Sequence, residues 1–163
     1  MTDGSSRVTP FLIGVVSDTH GVLSDEAYDA LKGVDTIVHA GDIGDGLVLD
    51  LLEAVAPVVL VRGNSRCKTE VGRAQIADVV VGGARIIVAH RAEDLPPLAA
   101  GAGAPVRLVV TGHTHVAVIE ERGGVLHVNP GSPSQPRKDS AASVALVEVG
   151  ADGLVTARIV TLV

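Results

Sequence analysis

A chain of 163 residues, 47% hydrophobic and 20% charged, is long enough to form one globular domain with a substantial buried core. Its formal net charge of −6 and its aromatic content of one Phe and one Tyr argue against a nucleic-acid-binding surface, which requires positive charge and stacking side chains. A single cysteine, no signal-peptide pattern and no apolar run of about 18 residues predict a cytoplasmic protein without membrane spans.

The predicted strands are short apolar runs that each end abruptly at a polar cluster. Residues 1–9 are small and polar, so we expect a flexible tail, followed by a single domain over residues 10–163. Continuous apolar runs, rather than alternating ones, are typical of strands that are buried on both faces. The five runs are Phe11–Val16, Thr36–Val38, Val58–Val61, Ile86–Ala89 and Leu108–Val110.

Helices are predicted between these runs. Ser24–Lys32 begins with a capping serine and acids in its first turn, and Gly46–Val55 has apolar residues at helical spacing. A third helix, Glu93–Ala102, is expected to be short or to start late because Pro96 and Pro97 lie inside it. Strands that alternate with helices predict right-handed crossovers and a largely parallel sheet.

From residue 79 onward the chain also contains hairpin patterns. Residues 79–88, 116–128 and 143–163 each contain two apolar, strand-like runs around a glycine-containing turn. We therefore expect an α/β fold in which two packed sheets carry helices on their outer faces.

Polar side chains follow all five apolar runs, and we expect them to meet where the strands end. The carboxyl ends of parallel strands lie at one edge of a sheet, which is where ligands bind in open α/β folds. Asp18 and His20, like His113 and His115, are two residues apart and would point to the same side of an extended chain. The strand-end donors are Asp18, His20, His39, Asp42, Asn64, His90, His113 and His115.

These donors predict a transition-metal site. Imidazole nitrogens together with carboxylate and amide oxygens suit Mn²⁺, Fe²⁺, Zn²⁺, Co²⁺ or Ni²⁺, whereas Ca²⁺ prefers oxygen ligands alone. Two divalent ions would bring four positive charges, and Asp18 and Asp42 would return only two negative ones. Such a site stays cationic and attracts a phosphate, and two ions can share a hydroxide that attacks phosphorus.

The ordered motifs resemble those of the calcineurin-like metallophosphoesterases. They are SDTHG, HAGD, GN, the strand-end His90 and TGHTH. The later NPGSPSQPR, over Asn129–Arg137, is similar to the NPGS…PR signature of the small bacterial and archaeal phosphodiesterases typified by YfcE. The resemblance extends from Ile13 to Arg137. It implies a four-layer α/β/β/α sandwich of two mixed sheets, and a metal-dependent phosphodiesterase that hydrolyses a small, soluble phosphate ester.

The resemblance also implies two metal sites that share one ligand, Asp42. A hydroxide between the two ions would be the nucleophile, and Asp42, Asn64 and His113 are expected to take part in catalysis. Mn²⁺ is the expected metal, with Zn²⁺, Fe²⁺, Ni²⁺ or Co²⁺ as alternatives, and His39 is interpreted as a hydrogen-bonding neighbour of the ligands. The first ion would be held by Asp18, His20, Asp42 and His115, and the second by Asp42, Asn64, His90 and His113.

Two positions depart from the family pattern. Many relatives have a histidine after the Asn of GN that can protonate the leaving group, and YfcE-like members read GNCD, but here Ser65 and Arg66 follow Asn64. Serine is too weak an acid to replace that histidine near neutral pH. Arg91 stands where a small glycine often follows the strand-end histidine, and the two arginines would either crowd the site or bind the phosphate.

Two alternatives to a dinuclear phosphodiesterase are open from the sequence. The scaffold subunit of retromer resembles this fold without the activity, so the chain could be a weak or inactive protein-interaction scaffold, although the departures spare the ligands themselves. A mononuclear site would result if Arg66 and Arg91 repelled the second ion. The sequence leaves open whether the chain forms a homo-oligomer. His127 is expected to be structural, and Ser132, Ser134 and Arg137 to form a loop near the site.

Overall fold

The computed structural model describes residues 9–98 and 103–163 and contains two five-stranded sheets that pack face to face. Of the predicted tail, only residue 9 falls within this range. Two α-helices, α1 (Asp25–Leu31) and α2 (Gly46–Glu53), and two 3-10 turns, Lys68–Glu70 and Ala92–Asp94, accompany the strands. In chain order the strands are β1 (Phe11–Val16), β2 (Thr36–His39), β3 (Val58–Leu60), β4 (Ile76–Val81), β5 (Ala84–Ala89), β6 (Val106–Val110), β7 (Ala117–Arg122), β8 (Val125–Pro130), β9 (Ser143–Val149) and β10 (Val155–Thr161).

Both sheets are mixed, as predicted. The first has the order β10-β9-β1-β2-β3, in which β1, β2 and β3 run parallel while β9 is antiparallel to both of its neighbours, β1 and β10. The second has the order β4-β5-β6-β8-β7, with β5, β6 and β8 parallel and the edge strands β4 and β7 antiparallel. The three predicted hairpins are confirmed as β4–β5, β7–β8 and β9–β10.

The interior between the sheets is almost wholly aliphatic. Ile13, Val15, Ile86 and Leu108 are fully buried there, and Phe11 packs against them at the margin. Truncating a fully buried isoleucine or leucine to alanine costs about 2–5 kcal/mol, because the cavity left behind is only partly refilled. This packing holds the two sheets together and therefore sets how the ends of their strands meet.

Both α-helices cover the outer face of the first sheet. The Ala27 N–H donates to Ser24 Oγ at 3.2 Å at the start of α1, and the Leu47 N–H donates to the Asp45 carboxylate at 2.8 Å at the start of α2. Their buried residues pack with outward side chains of β1, β2 and β3. Both predicted helices are confirmed, although α2 ends two residues before Val55. Across residues 9–98 and 103–163, no helix is both long enough and apolar enough to cross a membrane.

The outer face of the second sheet is covered differently from what we expected. The predicted helix Glu93–Ala102 is wrong over its described part, because only the 3-10 turn Ala92–Asp94 forms and residues 95–98 are not helical. Two consecutive prolines have no N–H to donate and exclude a continuing helix. Leu95 and Leu98 still pack on Ile87 and its neighbours. Residues 99–102 of that helix lie outside the described residues.

Candidate metal centre

The five strand-end clusters meet at the junction of the two sheets. Three of them follow β1, β2 and β3 of the first sheet, and two follow β5 and β6 of the second. Hydrogen bonds join the two sides: the His113 N–H donates to Asp18 Oδ2 at 2.9 Å, and His90 Nδ1 donates to the Ala40 carbonyl at 2.7 Å. The predicted convergence is therefore present, but across two sheets rather than along one.

The backbone at this junction is unusual. Among the described non-glycine residues, seven have positive φ, and five of these are predicted ligands. Each such residue costs on the order of 1–3 kcal/mol, so the surrounding structure must hold it there, and such residues cluster at functional sites. The expectation that each two-residue pair lies on an extended chain is wrong, because both members of each pair are left-handed. The φ angles are 55° for Asp18, 47° for His20, 58° for Asp42, 71° for His113 and 59° for His115.

One group of three donor side chains consists of Asp18, His20 and His115. Their donor atoms all lie within 4.8 Å of one another. Nε2 of His115 is 3.2 Å from Asp18 Oδ1 and also 3.2 Å from Nε2 of His20. Two imidazole nitrogens facing each other beside a carboxylate oxygen form a cluster that a divalent cation can bind.

A second group consists of Asp18, Asp42 and His90. It satisfies the same 4.8 Å limit, so Asp18 belongs to both groups. His90 Nε2 is 3.3 Å from Asp42 Oδ2 and 3.9 Å from Asp18 Oδ1. Asp42 also lies near the first group, since its Oδ2 is 3.8 Å from His20 Nε2.

Two buried and unsatisfied polar atoms among the described residues indicate that this site can bind a metal ion. Asp18 Oδ1 and His90 Nε2 are buried and have no hydrogen-bond partner within the part of the chain that the structure describes. Buried polar atoms are nearly always paired, so a pair of such atoms facing one another requires an explanation. A cation bound between them would satisfy both, and carboxylate oxygen with imidazole nitrogen is a typical donor set for Mn²⁺, Fe²⁺ or Zn²⁺.

The charges of these side chains are coupled. Burial works against the ionised form of Asp42, but the nearby His90 ring and the hydrogen bond from the Ser65 N–H outweigh it and hold the pKa of this carboxyl well below its usual range. Burial lowers the pKa of His90, yet the nearby carboxylates of Asp42 and Asp18 raise it overall. The Asp42 carboxylate is therefore held ionised, as a metal ligand must be.

Carbonyl oxygens orient two of the histidines. His90 Nδ1 bonds to Ala40 O at 2.7 Å, and His115 Nδ1 bonds to Gln135 O at 2.6 Å. A carbonyl can only accept, so each Nδ1 carries the proton. This arrangement leaves each Nε2 directed at the acidic cluster, and it is the arrangement usually found for metal-binding histidines.

His39 does not contact the cluster directly. It is fully buried, its Nδ1 accepts the Gly41 N–H at 3.1 Å, and its Nε2 lies 3.0 Å from Thr19 Oγ1. Burial and the nearby His90 lower the pKa of His39 to about 3, so the ring is neutral at physiological pH. These contacts agree with its interpretation as a hydrogen-bonding neighbour of the ligands.

Asn64 and His113 lie on the solvent side of the cluster. Asn64 is exposed, and its amide nitrogen is 3.4 Å from Nδ1 of His113. The ring of His113 stands edge-on to that of His90, with centroids 5.3 Å apart. Asn64 and His113 therefore lie at the site, although neither belongs to the two groups of buried donor atoms.

The two residues after Asn64 are placed differently from each other. The Ser65 N–H donates to Asp42 Oδ1 at 2.8 Å, and Ser65 Oγ is a buried atom without a hydrogen-bond partner in residues 9–98 and 103–163. Arg66 is exposed. Arg91, which follows His90, pairs with Glu93 at 2.5 Å, while its buried Nε has no partner among the described residues.

Sequence reasoning placed one supporting loop correctly and missed one residue. Ser132 Oγ donates to the Asp18 carbonyl at 2.7 Å, and Ser134 Oγ donates to the Thr19 carbonyl at 2.8 Å, so this loop lies against the site as predicted. The missed residue is Glu70, which is 1% exposed and accepts hydrogen bonds from the backbone of two ligand-bearing loops. Its only signal in the sequence is an acid within a basic loop, which usually indicates a surface charge.

Comparisons with known proteins agree with this geometry. Residues 11–152 match the family described as the calcineurin-like phosphoesterase superfamily domain. A probable metallophosphoesterase of Methanocaldococcus jannaschii is 36% identical over an alignment of 138 positions, and the match covers 77% of this chain and 70% of that protein. The phosphodiesterase YfcE of Escherichia coli is 33% identical over an alignment of 110 positions, and the match covers 60% of this chain and 56% of YfcE.

Solved structures give the same picture of the fold. The structure of YfcE from Escherichia coli has a TM-score of 0.64 at 25% identity and covers 93% of this chain and 100% of that chain. A zinc complex of wild-type Vps29 from Entamoeba histolytica has a TM-score of 0.68 at 21% identity and covers 92% of this chain and 98% of that chain. At such low identity, the likeness to Vps29 concerns the fold alone.

Proposed function

The chain belongs to the calcineurin-like phosphoesterase superfamily and is a phosphoester hydrolase, and on this premise we propose that it is a metal-dependent phosphodiesterase acting on a small phosphate ester. The observation that carries the proposal is the pair of buried donor groups that share Asp18. Asp18 Oδ1 and His90 Nε2 are buried without a hydrogen-bond partner among the described residues and lie 3.9 Å apart, so a cation bound between them would satisfy both.

We propose that the site holds two divalent ions, with Mn²⁺ as the expected metal. When bound, such a pair supplies a hydroxide at neutral pH and neutralises charge on the phosphoryl oxygens. The protein keeps the Asp42 carboxylate ionised and directs Nε2 of His90 and His115 inward, so these ligands are in place before the substrate binds. In the proposed assignment Asp18, His20, Asp42 and His115 hold one ion, and Asp42, Asn64, His90 and His113 hold the other.

Arginines are proposed to bind the phosphate from the solvent side. Arg91 directly follows His90, and its partly exposed guanidinium pairs with Glu93 through one nitrogen, which leaves further N–H groups to donate to a phosphoryl oxygen. Arg66 is exposed two residues after Asn64 and can approach a bound anion without losing another contact in the described residues. Both would raise the affinity for an anionic substrate and lower that for a neutral one.

The size of a neighbouring cleft supports a small substrate. A cleft of about 310 Å³ lies on the outer face of the second sheet, and its walls include Ala92, Thr114 and His127. Thr114 lies between two proposed ligands and Ala92 lies two residues after His90, so the cleft opens beside the centre. Its volume is at the lower end of ligand pockets, and we place the alcohol half of the diester there.

The proposal includes a cytoplasmic setting, since Cys67 has no second cysteine to pair with.

The test combines metal content with turnover. Metal-free protein loaded with Mn²⁺ should contain two ions per chain by elemental analysis and should hydrolyse bis(p-nitrophenyl) phosphate. Asp42→Asn should lower kcat/KM by roughly 100-fold or more, because the amide still accepts the Ser65 N–H but no longer offers a charge to the ions. Asp50→Asn, on the exposed face of α2, is the control and should retain full activity.

Other results of this experiment would favour either the mononuclear site or the protein-interaction scaffold. One ion per chain with turnover would favour the mononuclear alternative. Two bound ions without turnover above background would contradict the enzyme and favour a protein-interaction scaffold. Recovery of a stable protein partner from native lysate, by protein that binds no metal, would favour the scaffold more strongly.

A further inference from the structure

Glu70 is a buried acid whose partners are backbone groups. It ends the 3-10 turn Lys68–Glu70 and is 1% exposed. One carboxylate oxygen accepts the Ile43 N–H at 2.7 Å, and the other accepts the Gly63 N–H at 2.9 Å. Burying a carboxylate is costly, and hydrogen bonds from two N–H groups are what offset that cost here.

The two segments that Glu70 joins both carry proposed ligands. Ile43 follows Asp42 in the loop after β2, and Gly63 precedes Asn64 in the loop after β3. The loops touch so closely that a Cβ at Gly63 would lie 2.1 Å from Asp42 Oδ1. Glu70 therefore bridges the loops where their separation matters most, next to Asp42 and Asn64.

The sequence around Glu70 differs from the family pattern at the same place. The acid of GNCD is absent here, because Arg66 occupies its position. The 3-10 turn Lys68–Glu70 begins two residues after Arg66, and its last residue, Glu70, places a carboxylate against this loop. The acid is thus present near the loop, but it comes from a different position in the chain.

We propose that Glu70 is a positioning residue for the second ion. By fixing the Ile43 and Gly63 amides it sets the distance between Asp42 and Asn64, which both belong to the proposed second site. The inference rests on the proposed metal-dependent function. A purely structural role for Glu70 would instead lower stability and leave the metal affinity of the folded protein unchanged.

The decisive variant is Glu70→Gln. The Gln amide has the same shape, but its NH₂ group must face one of the two N–H donors, so one bridge is lost. The matched control is Asp35→Asn, in which a partly buried carboxylate that accepts the Leu12 N–H at 2.8 Å is neutralised at the opposite ends of β1 and β2. Both variants should be less stable, but only the first should alter the metal site.

The measurement is calorimetric titration of metal-free protein with Mn²⁺. The wild type should bind two ions, and Glu70→Gln should bind one with normal affinity and the second roughly 10-fold to 100-fold more weakly. Asp35→Asn should keep both affinities. The inference is overturned if Glu70→Gln binds both ions as the wild type does, or if Asp35→Asn weakens the second ion as much.

Two further results separate the inference from the function on which it rests. A wild type that binds no ion would overturn both, whereas two ions bound equally by wild type and Glu70→Gln would overturn the inference alone. If Glu70→Gln does not fold, amide hydrogen exchange of the wild type replaces it. The Ile43 and Gly63 amides should exchange slowly without metal and still more slowly with Zn²⁺, and no change on adding Zn²⁺ would overturn the inference.

Discussion

Oδ1 of Asp18 and Nε2 of His90 lie 3.9 Å apart, and both atoms are buried without a hydrogen-bond partner in the part of the chain that the structure describes. Asp18 follows β1 of the first sheet and His90 follows β5 of the second, so the packing of the sheets brings these atoms together. An unsatisfied buried acceptor costs about 1–3 kcal/mol. A bound cation would remove that cost, which links metal binding to the stability of the sheet interface.

Metal ions should therefore stabilise the folded protein. At a free Mn²⁺ concentration of about 100 times Kd, one site contributes about 2.7 kcal/mol by mass action. Asp18→Asn should lose most of this gain because Asp18 belongs to both donor groups. The measurement is the shift in Tm between chelator and Mn²⁺ for the wild type, for Asp18→Asn and for the exposed control Asp50→Asn. A full shift in Asp18→Asn would contradict the placement of the ions.

The leaving group should control the rate of hydrolysis. Ser65 stands where many relatives have a histidine, and a serine hydroxyl is too weak an acid to protonate an alkoxide. Diesters that release nitrophenolate, which needs no proton, should be cleaved much faster than dialkyl diesters. The measurement is kcat/KM across a series of leaving groups of rising pKa, which should fall steeply.

A substitution tests the same point in the opposite direction. Ser65→His should reduce the difference between aryl and alkyl leaving groups, because it restores an acid of suitable pKa next to Asn64. Ser65→Asn is the control and should leave the difference unchanged. Equal rates for both leaving groups in the wild type would mean that another residue supplies the proton.

Low pH should destabilise the protein partly through His39. Its folded pKa of about 3 lies below the ordinary value of 6.5, because protonation would charge a buried ring whose Nδ1 accepts the Gly41 N–H. Between these pH values the unfolded state binds more protons, so the contribution of His39 is fully present above pH 6.5 and falls as the pH drops towards 3. The slope from this residue is at most about 1.4 kcal/mol per pH unit.

Urea unfolding of the metal-free protein from pH 7 to pH 4 measures this contribution. His39→Asn keeps an acceptor for Gly41 but does not titrate, so its free energy of unfolding should fall less steeply with decreasing pH. The two proteins differ only at this position, so the difference in slope isolates His39. Identical slopes would mean that the buried ring is protonated in the folded state.

The convergence of the candidate ligands was predictable because its signal is local. Asp18, His20, His113 and His115 lie within five residues of the end of an apolar run, and the carboxyl ends of parallel strands are where such clusters meet. Strand bounds followed from the same runs to within two residues. The ordered motifs then gave the fold, since two mixed sheets have little other sequence signal.

Other features depended on tertiary structure and could not be read from the sequence. The left-handed backbone at Asp18 and Asp42 is imposed by the loops around them, and local propensity would have disfavoured it. Glu70 follows Lys68 in a polar loop and is recognisable only when the Ile43 and Gly63 amides are seen to point at it. The helix predicted after His90 fails because Pro96 and Pro97 are incompatible with it, a conflict already visible in the sequence.

His127 was expected to be structural, and if the alcohol half of the diester occupies the cleft, as proposed, the ring of His127 is also placed to contact it. It is half-buried on β8 and lines the cleft of about 310 Å³ with Thr111 and Thr114. Burial and the nearby Arg122 lower the pKa of His127 below its ordinary value, against the opposing effect of Glu120. The ring is therefore neutral near pH 7 and can both donate and accept a hydrogen bond. Phe11 and Tyr28 are not among the residues that line the cleft, so its occupant is better matched by a hydroxyl-bearing alcohol than by a stacked base.

Two substrates with one leaving group test this role. Glyceryl p-nitrophenyl phosphate carries a hydroxyl-bearing alcohol that can enter the cleft, whereas methyl p-nitrophenyl phosphate carries a group too small to reach His127. His127→Ala should raise KM for the glyceryl ester several-fold and leave kcat unchanged, because the contact is made equally in the ground and transition states. The methyl ester should be unaffected, and His127→Gln should restore much of the affinity. A change of the same size for both esters would assign His127 to folding stability instead, because loss of packing cannot distinguish two substrates that differ only outside the reacting atoms.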